Sequence, residues 1–260
     1  MSGDTDAAPV VRASLDDDSH VGTVEILRGP NNYFDVDVLS EVADAMDSFV
    51  VAGARAVVLC SEGKNFCAGA DFTGAAGVSS RPGLHVYDVA ARIFSVAVPI
   101  VAAVQGSAIG GGLGLAMAAD FRVGSPATRM AANFARLGFH QGFALSVTLP
   151  RAAGEQAAAE LLLTGRRVDG TVARELGLLD RLVEDDGIRT VATELATEIA
   201  GSAPLAVASI RSTLRGDLAV RAVAAMAHER AEQERLQMTA DFREGVRAVA
   251  ERRAARFTGE

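Results

Sequence analysis

Two short glycine-bearing segments have the composition needed to hold a negatively charged oxygen. The first, at 66–71, reads Phe-Cys-Ala-Gly-Ala-Asp, and the second, at 110–112, is a run of three glycines. Glycine lets the backbone approach a ligand closely and adopt positive φ. A helix start offers unpaired N–H groups at its positive dipole end. Two such turns could direct two N–H donors at one thioester oxygen, which becomes an enolate oxyanion as negative charge develops on its α-carbon.

Nucleotide-binding motifs fit the glycine run less well. A dinucleotide-binding turn requires a third glycine where this chain has Met117. A phosphate-binding P-loop requires a Lys followed by Ser or Thr, and no such pair follows the run. Close packing of a helix on a strand remains open as a structural explanation for the run taken alone.

Alternating strands and helices are predicted to position both segments. A half-buried strand at 21–27 and a helical apolar pattern at 38–49 precede a buried strand at 56–60, which leads into the first segment. A helix at 84–97 and a buried strand at 100–104 precede the glycine run. Beyond Leu145 the pattern is mainly helical. The chain is therefore predicted to form an α/β core followed by an α-helical C-terminal section.

Composition excludes several classes of protein. The formal net charge of −8 over 260 residues argues against a general nucleic-acid binder. No uncharged run reaches the ~18 residues of a membrane span, and the acidic N-terminal stretch does not resemble a signal peptide. Cys60 and Cys67 are the only cysteines and show no metal-ligand spacing with His. We therefore expect a cytoplasmic protein with no membrane or nucleic-acid partner and no bound metal.

Taken together, the two segments resemble the signature segments of the crotonase superfamily, the enoyl-CoA hydratase/isomerase family. The second similarity extends from Ala103 to Leu113. Further similarities occur in consistent order at 161–166, 175–179 and 241–245. The likeness covers roughly residues 20 to 257.

The resemblance implies a crotonase-like spiral of repeated β-β-α units followed by a helical trimerisation region. We expect residues 1–19 to form a mobile N-terminal tail, 20–200 the spiral core, and 201–260 the C-terminal helical region. A homotrimer, or a dimer of trimers, is the implied assembly.

The resemblance also implies an acyl-CoA thioester substrate, with coenzyme A as part of the substrate and no separate cofactor. The oxyanion donors correspond to the backbone N–H groups of Ala70 and Gly111. The positions expected to border coenzyme A are Arg28, Lys64, Ala68 and Arg252. The positions expected to line the acyl pocket are Phe72, Leu84, Phe134 and Phe139. Asp71, beside one donor, is interpreted as a cap on the following segment rather than a base.

The chain departs from the family where acids are expected. The two glutamates of the family's hydratases correspond to Gly114 and Phe134, and the aspartate of some isomerases corresponds to Gly142. His140 is the candidate acid/base, because imidazole titrates near neutrality. A loop histidine bonded to backbone is the structural alternative. His85 could also reach substrate, although a partly exposed helix position explains it as well.

The leading hypothesis is therefore an acyl-CoA enzyme that performs isomerisation, atypical hydration or another enolate reaction. A large apolar residue at 134 favours proton transfer or carbon–carbon cleavage over simple water addition. Two alternatives remain open: a CoA-ester-binding protein without turnover, and a β-diketone carbon–carbon hydrolase that binds no coenzyme A.

Overall fold

A computed structural model of the chain describes residues 9–70 and 81–260. Its strands are β1 (Val11–Asp16), β2 (Val21–Ile26), β3 (Ala56–Ser61), β4 (Ile100–Ala103), β5 (Ser107–Ile109), β6 (Phe121–Gly124), β7 (Arg129–Ala131), β8 (Arg167–Asp169) and β9 (Arg181–Leu182). Its α-helices are α1 (Val36–Val51), α2 (Val86–Ser95), α3 (Gly111–Ala118), α4 (Leu145–Ala153), α5 (Glu155–Thr164), α6 (Gly170–Glu175), α7 (Ile188–Ala200), α8 (Pro204–Arg215), α9 (Leu218–Gln237) and α10 (Ala240–Ala250). Short 3-10 helices span Asn133–Leu137 and Asp185–Gly187.

The strands form two sheets that the chain visits in turn. The larger sheet has the order β1-β2-β3-β4-β6-β9, and the smaller has the order β5-β7-β8. β4 pairs in parallel with β6 in the first sheet, and β5 pairs in parallel with β7 in the second. The β4–β5 and β6–β7 turns of the chain each add one strand to each sheet, as in the spiral of β-β-α units that the resemblance implied.

The N-terminal boundary differs from the expected one. Part of the predicted mobile tail, Val11–Asp16, forms the edge strand β1 and pairs antiparallel with β2. Val11 and Leu15 pack against the core, and more exposed residues lie between them. The spacing of Val11 and Leu15 did not predict a strand, because the residues around them are polar or acidic. Residues 1–8 of the tail lie outside the described range.

Apolar helix faces cover both sides of the large sheet. Helices α1, α2, α3 and α4 contribute side chains to the main core, whereas α7 covers a second cluster on the strands that includes Val58 and Val101. Asp35 caps α1 by accepting from Val38 N at 2.8 Å, which satisfies one of the first-turn N–H groups. None of the helices built from described residues is both long and apolar enough to cross a membrane.

The C-terminal helices close over the spiral rather than extending away from it. α2 and α9 are neighbours, and α10 packs on the 3-10 helix Asn133–Leu137. Glu229 on α9 is fully buried and accepts hydrogen bonds from Ala144 N, Ser146 N and Ser146 Oγ at the start of α4. Helix α9 therefore fixes the loop that precedes α4.

Candidate active site

The two glycine-bearing segments lie side by side. Cys67 N donates to Ser107 O, and Ile109 N donates to Cys67 O, both at 3.0 Å. Cys67 thus forms an isolated parallel bridge with Ala108 of β5. The described part of segment 66–71 therefore adds one bridge residue to the edge of the small sheet and lies beside the start of α3.

The backbone N–H groups of Ala70 and Gly111 have no acceptor among the described residues. Phe34 bridges to Ala70, but the bond runs from Phe34 N to Gly69 O at 3.0 Å and leaves Ala70 N unused. Gly111 is the first residue of α3, whose first bond runs from Gly114 N to Gly110 O. The opening N–H groups of a helix have no partner within it. Both predicted donors are therefore available to a ligand.

Glycine is required because the two backbones touch. Gly69 has φ +100°, and a Cβ on it would lie 2.9 Å from Ile109 O and 3.5 Å from Gly111 N. A Cβ on Gly112 would overlap the carbonyl of Cys67. The sequence of small residues thus places the two donor-bearing segments in van der Waals contact.

A cavity of about 590 Å³ opens onto both donors. Its described lining is mainly apolar and aromatic, and contains Ala70, Gly111, Phe34, Phe143 and Val246. The polar side chains among the lining residues are those of Tyr33, His85, Tyr87, Asn133, Gln233 and Gln237. No carboxylate occurs among the described residues that line it. Such a cavity can hold an apolar group beside two backbone donors, and no acid that could activate water lines it within residues 9–70 and 81–260.

The structure brings together part of the predicted acyl and coenzyme A surface. Ala68, Phe134 and Phe139 line the cavity, and the rings of Phe134 and Phe139 are 6.4 Å apart. Leu84 is 40% exposed and is not among the lining residues. Phe72 and Asp71 lie outside the described residues, so their predicted roles stay predictions.

The imidazole of His140 does not reach this cavity. Its Nδ1 lies 2.8 Å from Gln141 O, and its ring faces that of His228 at 5.8 Å between centroids. His140 is absent from the described lining, although its carbonyl accepts from Gln233 Nε2 at 3.0 Å. His140 therefore matches the structural alternative, a loop histidine bonded to backbone.

An aromatic side chain occupies the space beside the first missing acid. A Cβ on Gly114 would overlap Cβ of Phe143 and lie 2.8 Å from its Cγ. Phe143 is fully buried, and its ring is 5.5 Å from that of Phe34. Phe143 and Ala144 both have φ near +60°, at 59° and 57°. This left-handed pair is uncommon for non-glycine residues and turns Phe143 inward.

A tyrosine hydroxyl occupies the space beside the isomerase position. A Cβ on Gly142 would overlap Tyr87 Oη and lie 2.5 Å from Gln233 Nε2. Tyr87 Oη donates to Gln233 Oε1 at 2.8 Å. Burial, reinforced by the charge of Glu229, holds the pKa of Tyr87 well above its usual range. The sequence alone did not single out Tyr87, since its proximity to Gly142 depends on packing between distant segments.

His85 lines the cavity but is engaged by its own helix. It is the N-cap of α2, and its Nδ1 accepts from Tyr87 N at 3.2 Å while Asp88 completes the capping box. Burial lowers the pKa of His85, so the ring is neutral near pH 7. Its remaining nitrogen, Nε2, then carries the hydrogen and can only donate.

The predicted coenzyme A cations differ in their surroundings. Arg28 pairs with Asp35 at 2.6 Å, which explains it as a structural contact at the start of α1. Lys64, the single lysine of the chain, and Arg252 are exposed. Neither has an ion-pair partner within the described ranges. Arg252 follows the lining residue Ala250 by two positions, and Lys64 precedes Ala68 by four.

Comparisons with known proteins identify the family to which the chain belongs. Residues 16–260 match the family model "Enoyl-CoA hydratase/isomerase". Human methylglutaconyl-CoA hydratase, mitochondrial, is 33% identical over 234 residues, covering 86% of this chain and 68% of that protein.

Solved structures of proteins with the same fold include other members of this family. The crystal structure of an enoyl-CoA hydratase/isomerase from Pseudoalteromonas atlantica T6c superposes with a TM-score of 0.86 at 29% identity, covering 96% of this chain and all of that one. The structure of EchA1_1 from Mycobacterium paratuberculosis superposes with a TM-score of 0.84 at 27% identity, covering 98% and 100% of the two chains. The chain belongs to the enoyl-CoA hydratase/isomerase family, the crotonase superfamily.

Proposed function

We propose that this chain is an enzyme that binds acyl-CoA thioesters and stabilises their enolate with the backbone N–H groups of Ala70 and Gly111. The observation that carries the proposal is the pair of amides on one cavity, each without an acceptor among the described residues. Fixed donors that meet a developing oxyanion contribute roughly 3 kcal/mol each. Most of that stabilisation is absent in the ground state, so it lowers the barrier rather than only tightening binding.

The proposed reaction is proton transfer at the α-carbon, or carbon–carbon cleavage that passes through the same enolate. Two-glutamate hydration is disfavoured because Phe143 fills the space beside Gly114 and Phe134 presents a ring to the cavity. An ordered water needs two to four polar partners, and apolar rings stand where the family's glutamates would supply them.

The coenzyme A portion is proposed to lie between Lys64 and Arg252. Both are exposed cations within a few residues of the cavity lining. A lysine or arginine without a protein partner is free to meet a phosphate. Arg28 is a weaker candidate, since Asp35 already holds its guanidinium.

A homotrimer, or a dimer of such trimers, is proposed to cover an apolar face of α8 and α9. Ile210 is 59% exposed and Leu214 69%, one turn apart on the same face of α8, and Val220 of α9 is 72% exposed. Contiguous exposed apolar side chains on one surface are typical of subunit contacts. Light scattering is expected to give a multiple of three 26.9-kDa chains.

Deuterium exchange into butyryl-CoA tests the proposal without knowledge of the natural acyl group. An enzyme that forms the enolate will move deuterium from D₂O into the α-position, which mass spectrometry detects. Binding of butyryl-CoA with exchange at the uncatalysed rate would favour a CoA-ester-binding protein. Cleavage of a β-diketone, with no affinity for coenzyme A or its esters, would favour the hydrolase.

A further inference from the structure

We propose that the hydroxyl of Tyr87 carries the proton to and from the substrate α-carbon in this protein. The inference rests on the proposed function and adds to it the group that the missing carboxylates would otherwise supply. The hydroxyl lies where a side chain on Gly142 would begin, and Tyr87 lines the same cavity as Ala70 and Gly111.

The other titratable groups near the cavity are less suited to this role. Tyr33 also lines it, but Tyr33 is 38% exposed and no hydrogen bond among the described residues orients its hydroxyl. His85 uses Nδ1 as the acceptor of its helix cap, so taking a proton there would break the cap. The ring of His140 faces that of His228, and His140 is not among the lining residues. Glu229 is fully buried, its carboxylate accepts three hydrogen bonds, and it is not among the lining residues.

Gln233 acts as the positioning residue for the hydroxyl. Its Nε2 donates to His140 O at 3.0 Å, which fixes the orientation of the amide. Its Oε1 must then accept from Tyr87 Oη at 2.8 Å. The phenol is thereby held against the left-handed turn at Phe143, in a cavity where a rotation about the C–O bond can redirect its hydrogen.

The transfer balances without any further reactant. In exchange, the phenolate of Tyr87 removes a proton from the α-carbon, and the C–H electron pair moves into the enolate, whose oxygen the two amides hold. The phenol then trades its hydrogen with solvent and returns a deuteron to the same carbon. After carbon–carbon cleavage, only the second half is needed, because cleavage itself leaves the enolate.

The surroundings of the hydroxyl predict an unusual pH profile. Glu229 from α9 is the charged group that raises the pKa of Tyr87 beyond the effect of burial, and His85 at the start of α2 is neutral. Asp88 on α2 and Arg230 and Glu234 of α9 act on His85. Because the phenol stays protonated, the phenolate fraction grows about tenfold per pH unit through neutrality. The exchange rate should therefore rise without levelling off from about pH 7 to about pH 9.

Two measurements on butyryl-CoA in D₂O test the assignment. Tyr87→Phe is expected to lower the α-exchange rate at least ~100-fold, with the Kd for butyryl-CoA within about threefold. An unchanged rate in Tyr87→Phe would overturn it, as would exchange lost in His140→Gln but kept in Tyr87→Phe. If Tyr87→Phe fails to fold, the pH dependence of the wild-type exchange rate tests the role of Tyr87 independently. A plateau near neutrality would point to an imidazole and contradict Tyr87.

Failure of the two proposals can be told apart. Wild-type protein that binds butyryl-CoA without exchange would end the proposed function, and the role of Tyr87 with it. Wild-type exchange that Tyr87→Phe retains would leave the enolate chemistry intact and remove only Tyr87.

Discussion

The side chain of Phe143 packs directly on the α-carbon of Gly114, so closely that a Cβ at 114 would lie 2.8 Å from Cγ of Phe143. Position 114 is where the family's hydratases are expected to carry an acid. The glycine at 114 and the inward turn of Phe143 therefore depend on each other. A side chain at 114 would collide with Phe143, and the ring of Phe143 takes the space that such a side chain would need.

Gly114→Ala should destabilise the protein by about 1–3 kcal/mol, since overpacking a filled core forces backbone shifts. Phe143 cannot withdraw, because it is buried and its turn is fixed by α9. Urea unfolding measures the change. Gly187→Ala is the control, as its Cβ would meet only Val183 at 3.8 Å. Equal stability of the two variants would contradict the packing described.

Glu229→Gln should lower the free energy of unfolding by about 2–3 kcal/mol, because an amide cannot accept all three hydrogen bonds from Ala144 and Ser146. The left-handed turn at Phe143 loses its anchor, and urea unfolding measures the loss of stability. Glu194→Gln, at an exposed position of α7, is the control and should leave the stability unchanged. Wild-type stability in Glu229→Gln would show that α9 does not hold the turn.

The two thiols should make the protein less stable at alkaline pH. Burial raises the pKa of Cys60 to about 11 and that of Cys67 to about 12, whereas an unfolded thiol ionises near about 8.5. Above that pH the unfolded chain releases protons that the folded chain keeps. The free energy of unfolding then falls by roughly 1 kcal/mol per pH unit per thiol, up to about pH 11.

The comparison is with Cys60→Ala/Cys67→Ala, whose stability should fall less steeply over the same range. Unfolding at about pH 8, about pH 9.5 and about pH 11 measures both slopes. Parallel slopes would mean that the thiols ionise equally in both states.

Lys64→Ala and Arg252→Ala should each weaken binding of coenzyme A, by roughly fivefold for a loss of about 1 kcal/mol. The effect should shrink as salt is added, because exposed charges are screened. Calorimetric titration measures it. Arg221→Ala is a suitable control, since Arg221 is exposed on α9 about 18 Å along the helix from Gln233. Affinity that is insensitive to both substitutions would place the phosphates elsewhere.

The two candidate donors could be located from the sequence because each belongs to a local motif. Segment 66–71 and the run 110–112 each follow a buried strand, so their N–H groups could be located from spacing and the resemblance. The departures at Gly114 and Gly142 were visible as missing acids. What replaced those acids was not visible, because Phe143 and Tyr87 reach them through packing between distant elements.

The direction of single side chains was the other gap. His140 lies in the expected segment, yet its ring faces His228, since a loop residue can present either side to the cavity. The sequence predicted a tail where β1 lies, because the residues of β1 are largely exposed and lack a clear apolar pattern. Backbone hydrogen bonds to β2 are what make this segment a strand. In both cases tertiary contacts decide what the local pattern leaves open.

Gly111 offers the most direct test of the oxyanion hole, because proline there removes the N–H and alanine keeps it. A Cβ at 111 would meet Cζ of Phe34 at 2.5 Å, so both substitutions belong in a Phe34→Leu background. Proline is accepted at the first position of a helix. The measurement is α-exchange of butyryl-CoA in D₂O.

If the amide of Gly111 holds the enolate, Phe34→Leu/Gly111→Pro will exchange at least ~100-fold more slowly than Phe34→Leu/Gly111→Ala. Equal rates in two folded variants would show that the Gly111 amide takes no part in stabilising the enolate.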